Sequence, residues 1–484
     1  MSIDPPADFA ASAPDRRTVL AVTGALLAGA AGCLSGDEEP ADDTDENDDT
    51  GSGSDSDDPG DSDDPGNTDG PDFPQLDLAT NPDIDEGLLA TQIRGNIDFS
   101  LDLLAQLRES EPQENLFFSP YSVSVALAMT YAGARGETAE EMAAAMRYEL
   151  EGDDLHPAFG ALEAEFAQRN EDGKEVENPM GDGETENGED GPAFQFTTAN
   201  SLWGQEGYGF SEDFLDLLEA YYGAGMQLVD FQGDAEAARE EINTWVEEHT
   251  NDRIEDLLQE GDVSELTRLV LTNAIYFLAP WYHQFDPSDT EPGTFTDLEG
   301  VETEVDLMYQ SEELRYTEGE GYEMVELPYA NRDSSMVVIL PAEGEFEAFE
   351  EDLTVDRLAT MLADLSRPQV DLTLPKFGIE SRFSLVEAMQ SLGMELAFEG
   401  GDFSGMDDSG GLVISEIVHQ SFVEVDEEGT EAAAATAVVM DESAPADHVE
   451  MVVDRPFLFY IRDRPTETPL FWGRVVDGET LQEE

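Results

Sequence analysis

The stretch from Glu427 to Met440, EEGTEAAAATAVVM, constrains this chain more than any other, because a glycine hinge is followed at once by a run of very small side chains. Ala432, Ala433, Ala434 and Ala435 carry the shortest side chains that still have a Cβ, while Thr430, Thr436, Val438 and Val439 add β-branched residues that favour strands. Threaded into a sheet, the run would place Thr430, Ala432, Ala434, Thr436 and Val438 on one face, with Glu431 beginning the other. The small face can be buried and the charge stays wet. Intrinsic propensity supports an alanine-rich helical turn equally well, so these residues alone leave strand and helix both open. The surrounding motifs decide.

Those motifs follow one another from Asn96 to Val476. They are NLFFSPYSVSVALAMTYAGARGETAEEM at Asn115 to Met142, TANSLW at Thr198 to Trp203, INTWVEEHTNDRIEDLL at Ile242 to Leu258 and LVLTNAIYFLAPWYHQF at Leu269 to Phe285. LPKFGIESRFSL at Leu374 to Leu385, LGMELAF, DFSGM, the segment from Ile414 to Val439, DRPFLFYIRD and PLFWGRVVD complete the series. In content and order the series resembles the serpins. The resemblance implies an α+β serpin fold, with three β-sheets, eight or nine helices and an exposed reactive-centre loop near the C-terminus. It further implies inhibition of a serine endopeptidase by suicide. The protease cleaves the loop, is held as an acyl-enzyme, and is trapped when the loop enters the central sheet as a new strand.

By the same resemblance Glu427, Gly429, Thr430 and Ala432 to Ala435 form the hinge of an inhibitory member, uninterrupted by Pro or a bulky charge. Ser119, Ser122, Asn273 and His419 fall at the polar shutter beneath the central strands, and Trp281 at the breach where insertion begins. Taken singly, Ser119 before Pro120 also reads as a helix cap and His419 as a satisfied core histidine. Leu278, Ala279 and Pro280 stand where the family usually carries Lys-Gly, which puts local control of the breach in doubt. Counting fourteen residues on from Gly429 puts the reactive bond at Ser443–Ala444, with Met440 and Glu442 as alternatives; counting back from Pro456 suggests Ala444 or Pro445. No Arg or Lys lies between Glu424 and Val453, so a subtilisin-like or elastase-like protease is expected over a trypsin-like one.

Three regions are expected: residues 1–33, 34–80 and 81–484. In the first, Arg16 and Arg17 precede an uncharged apolar run from Val19 to Ala31, which reads as a twin-arginine export signal. Ala30, Ala31, Gly32 and Cys33 resemble a lipoprotein box, making Cys33, the sole cysteine, a lipidation site on the outer face of the cytoplasmic membrane. From Leu34 to Pro74 there are seventeen acidic and no basic residues, the composition of a solvated tether. A second acidic stretch at Asn170 to Pro192 reads as an exposed surface loop rather than a helix.

Subtracting the seventeen from 113 acidic residues leaves 96, against 21 Lys plus Arg in the whole chain and a net charge of −92. This excludes nucleic acid as a partner and suits a halophilic protein, whose self-repulsion strong salt would screen within a few Å. An enzyme is not expected: there is no Gly-x-Ser-x-Gly elbow, His-Glu-x-x-His motif or phosphate loop, and the five histidines are scattered without close partners in sequence. No metal or cofactor is called for, and the resemblance implies a monomer. The rival reading is a non-inhibitory serpin acting as a ligand carrier or chaperone.

Overall fold

A computed structural model describes residues 73–173, 194–223, 226–250, 253–407, 411–430 and 448–482. Among them three sheets and ten α-helices are present. The architecture is the one expected, and ten helices rather than eight or nine are counted because short ones such as the four-residue Leu396–Glu399 and the six-residue Phe346–Glu351 and Val386–Ser391 are included.

The site is built on a six-stranded sheet ordered β11-β12-β13-β4-β2-β3. Its strands are β2 (Gln195–Gln205), β3 (Gln227–Val229), β4 (Leu269–Pro280), β11 (Phe377–Ser384), β12 (Glu416–Val425) and the two-residue β13 (Gly429–Thr430). Strand alternation divides β4 between two cores. Leu271, Ile275, Phe277 and Ala279 face the main interior, whereas Val270 and Ala274 face a smaller cluster with Ile242 and Val246. That cluster is covered by helix α6 (Ala235–His249), capped by the Asp234 carboxylate on the Ala237 amide.

The interior face is backed by helix α2 (Pro120–Tyr131), buried on all sides through Thr130. Proline at its first position and the Ser119 cap fix its start. The remaining helices are α1 (Glu86–Ser110), α3 (Gly136–Ala145), α4 (Gly152–Gly173), α5 (Glu212–Tyr222), α7 (Phe346–Glu351), α8 (Val355–Ala363), α9 (Val386–Ser391) and α10 (Leu396–Glu399).

A second six-stranded sheet, β1-β16-β15-β9-β8-β7, lies across the main core. It consists of β1 (Leu116–Phe118), β7 (Arg315–Gly319), β8 (Tyr322–Pro328), β9 (Ser334–Pro341), β15 (Phe457–Asp463) and β16 (Thr468–Val475). The third sheet, β14-β10-β6-β5, joins β5 (Glu291–Thr296), β6 (Glu302–Glu313), β10 (Gln369–Pro375) and β14 (His448–Val452).

One boundary differs from the sequence reading. Helix α4 continues to Gly173, and Asn170, placed in the acidic loop, is helical and clamps the Phe196 backbone through both amide atoms at 2.5 and 2.9 Å. An amide pinned to a neighbouring strand holds the last turn that composition alone assigned to a loop.

Candidate functional site

Strands β4 and β12 run parallel and pair directly only from Val270–Ile275 against Glu416–Ser421. At the far end they part, and β13 stands between them, antiparallel to both, with Thr430 opposite Ala279 and Val425 and Gly429 opposite Pro280. The sheet is zipped at one end and wedged at the other. Sequence reading had the segment from Glu427 as a loop able to become strand; Gly429 and Thr430 are already strand, while Glu427 ahead of them is not.

Gly429 permits the wedge. A Cβ there would lie 2.3 Å from the Ala279 carbonyl oxygen and 2.5 Å from the Pro280 Cα, inside contact distance of rigid backbone. Thr430, 2% exposed, points to the interior, where its hydroxyl meets that of Tyr329 at 2.8 Å. The Tyr329 ring stacks on Trp281 with centroids 4.7 Å apart and planes 6° from parallel. Trp281 is fully buried; its amide donates to the Glu428 carbonyl at 2.8 Å and its indole N–H to the Asp426 carbonyl at 2.9 Å. Trp281 therefore grips the chain just before the wedge.

A cation meets the chain just before the wedge. Lys376 Nζ donates to the Glu427 carboxylate at 2.8 Å, and Thr290 donates to its other oxygen at 2.7 Å. Burial works to raise the Glu427 carboxyl, but these bonds hold it below its ordinary value. Glu428 has no such partner; burial, then Asp426 and Glu427 beside it, push it up to about 7.

Deeper in the sheet, register lines up Asn200 on β2, Asn273 on β4 and His419 on β12 in one row across three strands. Asn273 Nδ2 donates to Asn200 Oδ1 at 2.7 Å and to Ser122 Oγ at 2.8 Å, and the Ser122 hydroxyl donates to Asn200 Oδ1 at 2.5 Å. His419 Nε2 accepts the Ser119 amide at 3.0 Å, so Nδ1 carries the proton and donates to Asn273 Oδ1. Ser119 Oγ also accepts the Ser122 amide and donates to the Leu470 carbonyl, so both readings of Ser119 hold: it caps α2 and joins the cluster. Burial drives the His419 imidazole down to about 3, with its bond to Asn273 opposing, so it is neutral. Asn200 Nδ2 is buried without a partner, leaving the network short by one acceptor.

The structure thus brings Ser119, Ser122, Asn273 and His419 into one cluster and places Glu427, Gly429, Thr430 and Trp281 together at the wedge. Ala432 to Ala435, Met440, Glu442, Ser443, Ala444 and Cys33 lie outside the described residues. Sequence reading gave no role to Asn200 and Lys376, though both sit inside quoted motifs, nor to Tyr329. An amide flanked by apolar residues in a strand was the available signal for Asn200; Tyr329 gave none. The histidines, scattered in sequence, each find a partner in the fold, as His156 does with the Tyr222 hydroxyl at 2.7 Å and His448 with Asp371 at 2.6 Å. No group of three or more His, Cys, Asp or Glu side chains arranged to hold a metal occurs among the described residues.

Residues 94–478 match the family model described as serpin (serine protease inhibitor). An uncharacterised serpin-like protein of Thermococcus kodakarensis is 38% identical over 382 residues, covering 78% of this chain and 84% of its own. Leukocyte elastase inhibitor A of Rattus norvegicus is 37% identical over 392 residues, 78% of this chain and 97% of that one. Among solved structures, the thermophilic serpin Tengpin in its native state is similar with a TM-score of 0.70 at 30% identity, covering 83% of this chain and 97% of the other. Human thyroxine-binding globulin complexed with thyroxine is similar with a TM-score of 0.69 at 27% identity, covering 81% and 99%. Relatives this similar over most of their length share descent as well as architecture, and the chain belongs to the serpin family.

Proposed function

We propose that this protein inhibits a secreted serine protease, subtilisin-like or elastase-like, as a suicide substrate. The protease serine attacks the Ser443 carbonyl, the bond to Ala444 breaks, and the Ala444 amine leaves with a proton from the enzyme. The cleaved loop then enters the sheet between β4 and β12, carrying the acyl-enzyme with it before water can release it. The single observation that carries this reading is the wedge at Gly429–Thr430, because a strand already started between β4 and β12 has only to be extended. The leukocyte elastase inhibitors among the relatives agree with the small residues around the proposed bond.

Export by the twin-arginine signal, anchoring through lipid on Cys33 and adaptation to strong salt belong to the same proposal. The carrier reading has support from the thyroxine-binding globulin neighbour, and one experiment separates the two. The protein from Phe73 onward, mixed with a subtilisin-like protease in concentrated NaCl, should give a complex stable to SDS and release a C-terminal peptide starting at Ala444. Cleavage by a panel of subtilisin-like and elastase-like proteases, with no complex from any of them, would reject inhibition.

A further inference from the structure

A cleft of about 240 Å³ opens beside the site, lined by Tyr282, Leu314, Pro328 and four arginines, Arg315, Arg332, Arg367 and Arg464. Its carboxylates are Glu313 and Glu326, so four guanidiniums face two carboxylates in a chain whose net charge is −92. Collecting cations in one recess of so acidic a protein runs against its composition.

Ion pairing explains only part of the cluster. Buried Glu326 takes Arg462 at 2.7 Å and Arg315 at 2.5 Å, and these with Arg464 hold its carboxyl down to about 2 although burial opposes the charge. Arg367 has no hydrogen bond or ion pair among the described residues. Arg332 lies over the Tyr282 ring, 4.3 Å from its centroid, and donates to that hydroxyl, but among the described residues it meets no carboxylate. It is also held at φ 64°, a left-handed conformation that costs a non-glycine residue roughly 1–2 kcal/mol. Arg464 spends one nitrogen on the Arg332 carbonyl, and its buried Nε lies 3.2 Å from Glu326 Oε1, an ion pair without hydrogen-bond alignment.

We propose that this cleft binds a small multivalent oxyanion, a di- or tricarboxylate or a phosphate ester, through Arg332, Arg367 and Arg464. Planar guanidinium forks take carboxylate or phosphate oxygens in pairs, and salt screens such bonds less in a recess than on open surface. At about 30 Å³ per water the cleft has room for about eight waters. Chloride would leave it mostly empty, while Tyr282, Leu314 and Pro328 offer an apolar wall for a short carbon skeleton. Tyr282 follows Trp281, so an occupant would sit one residue from the grip on the hinge.

The test is calorimetric titration of the whole chain with citrate and, separately, inorganic phosphate in concentrated NaCl, with thermal melts as a folding control. Saturable binding at one site per chain is expected, weakened about tenfold by Arg367→Ala, which is one charge-assisted bond at about 1.4 kcal/mol. Arg332→Lys, which keeps charge but loses the fork, should weaken it as well. Tighter binding of phosphate than citrate would identify the phosphate source, and the reverse a carboxylate. Absence of saturable binding by either probe, or undiminished binding to a folded Arg332→Ala/Arg367→Ala double variant, would overturn the proposal.

Discussion

The hydroxyl of Thr430 lies 2.8 Å from that of Tyr329, the residue that follows β8, so the first inward-facing residue of the wedge is tied to a segment outside its own sheet. Tyr329 is fully buried and also stacks on Trp281. Tyr329→Phe keeps the stack and deletes the bond, leaving a buried threonine hydroxyl unpaired. A loss of about 1–3 kcal/mol is expected, with faster amide exchange confined to the hinge. Equal exchange at Gly429 and Thr430 in the two proteins would refute the tether.

Gly429→Ala should expel the wedge, since the backbone of Ala279 and Pro280 leaves no space for a methyl group. The hinge would become open to proteolysis near Gly429, and the yield of protease complex would fall. A crystal structure of the variant with residues 429–430 still in the sheet would contradict this.

Thr430→Arg brings a charge to a position that is 2% exposed. Burying an unpaired guanidinium costs several kcal/mol, so the hinge should leave the sheet and the cleaved loop should fail to re-enter. The variant is expected to be cut as a plain substrate; the same gel assay should show fragments and no complex, and undiminished trapping would sink the insertion mechanism.

The strand register makes a further prediction about the inserted state. Extending β13 from its pairs with Ala279 and Val425 brings Thr436 level with Asn273 on one side and His419 on the other. An incoming strand would separate these two residues by about one more strand spacing, 4.8 Å, breaking their bond and placing a hydroxyl between them. Thr436→Val should leave the uncleaved protein unchanged and lower the melting temperature of the cleaved form. Equal melting of the two cleaved forms would show that this register is not continued.

Acid should weaken the fold through His419. Its imidazole titrates at about 3 when folded against an ordinary 6.5, so between those values the unfolded chain binds the extra proton. Stability from this group is complete above pH 6.5 and is lost as pH falls toward 3, at up to about 1.4 kcal/mol per pH unit. Glu326, held down to about 2, adds a loss below pH 4.5, while Glu428, raised to about 7 but only partly buried, acts weakly the other way. The gap in unfolding free energy between the parent and His419→Gln, measured in strong salt, should narrow as pH drops from 7 to 4. A constant gap would rule out His419 as the source.

The sequence by itself determined the family, and it singled out the small-residue run after Gly429 and the polar residues Ser119, Ser122, Asn273 and His419, because these are properties of residue type. A run of alanines can enter a sheet, and serines, an asparagine and a histidine inside apolar strands must find partners. Only tertiary structure decided which partners. Register puts Asn200, Asn273 and His419 in one row although they lie far apart in the chain. Lys376, in the single-residue link between β10 and β11, reaches Glu427. The wedge is a packing result as well: Gly429 and Thr430 become strand because β4 and β12 diverge there and leave backbone donors and acceptors that need pairing.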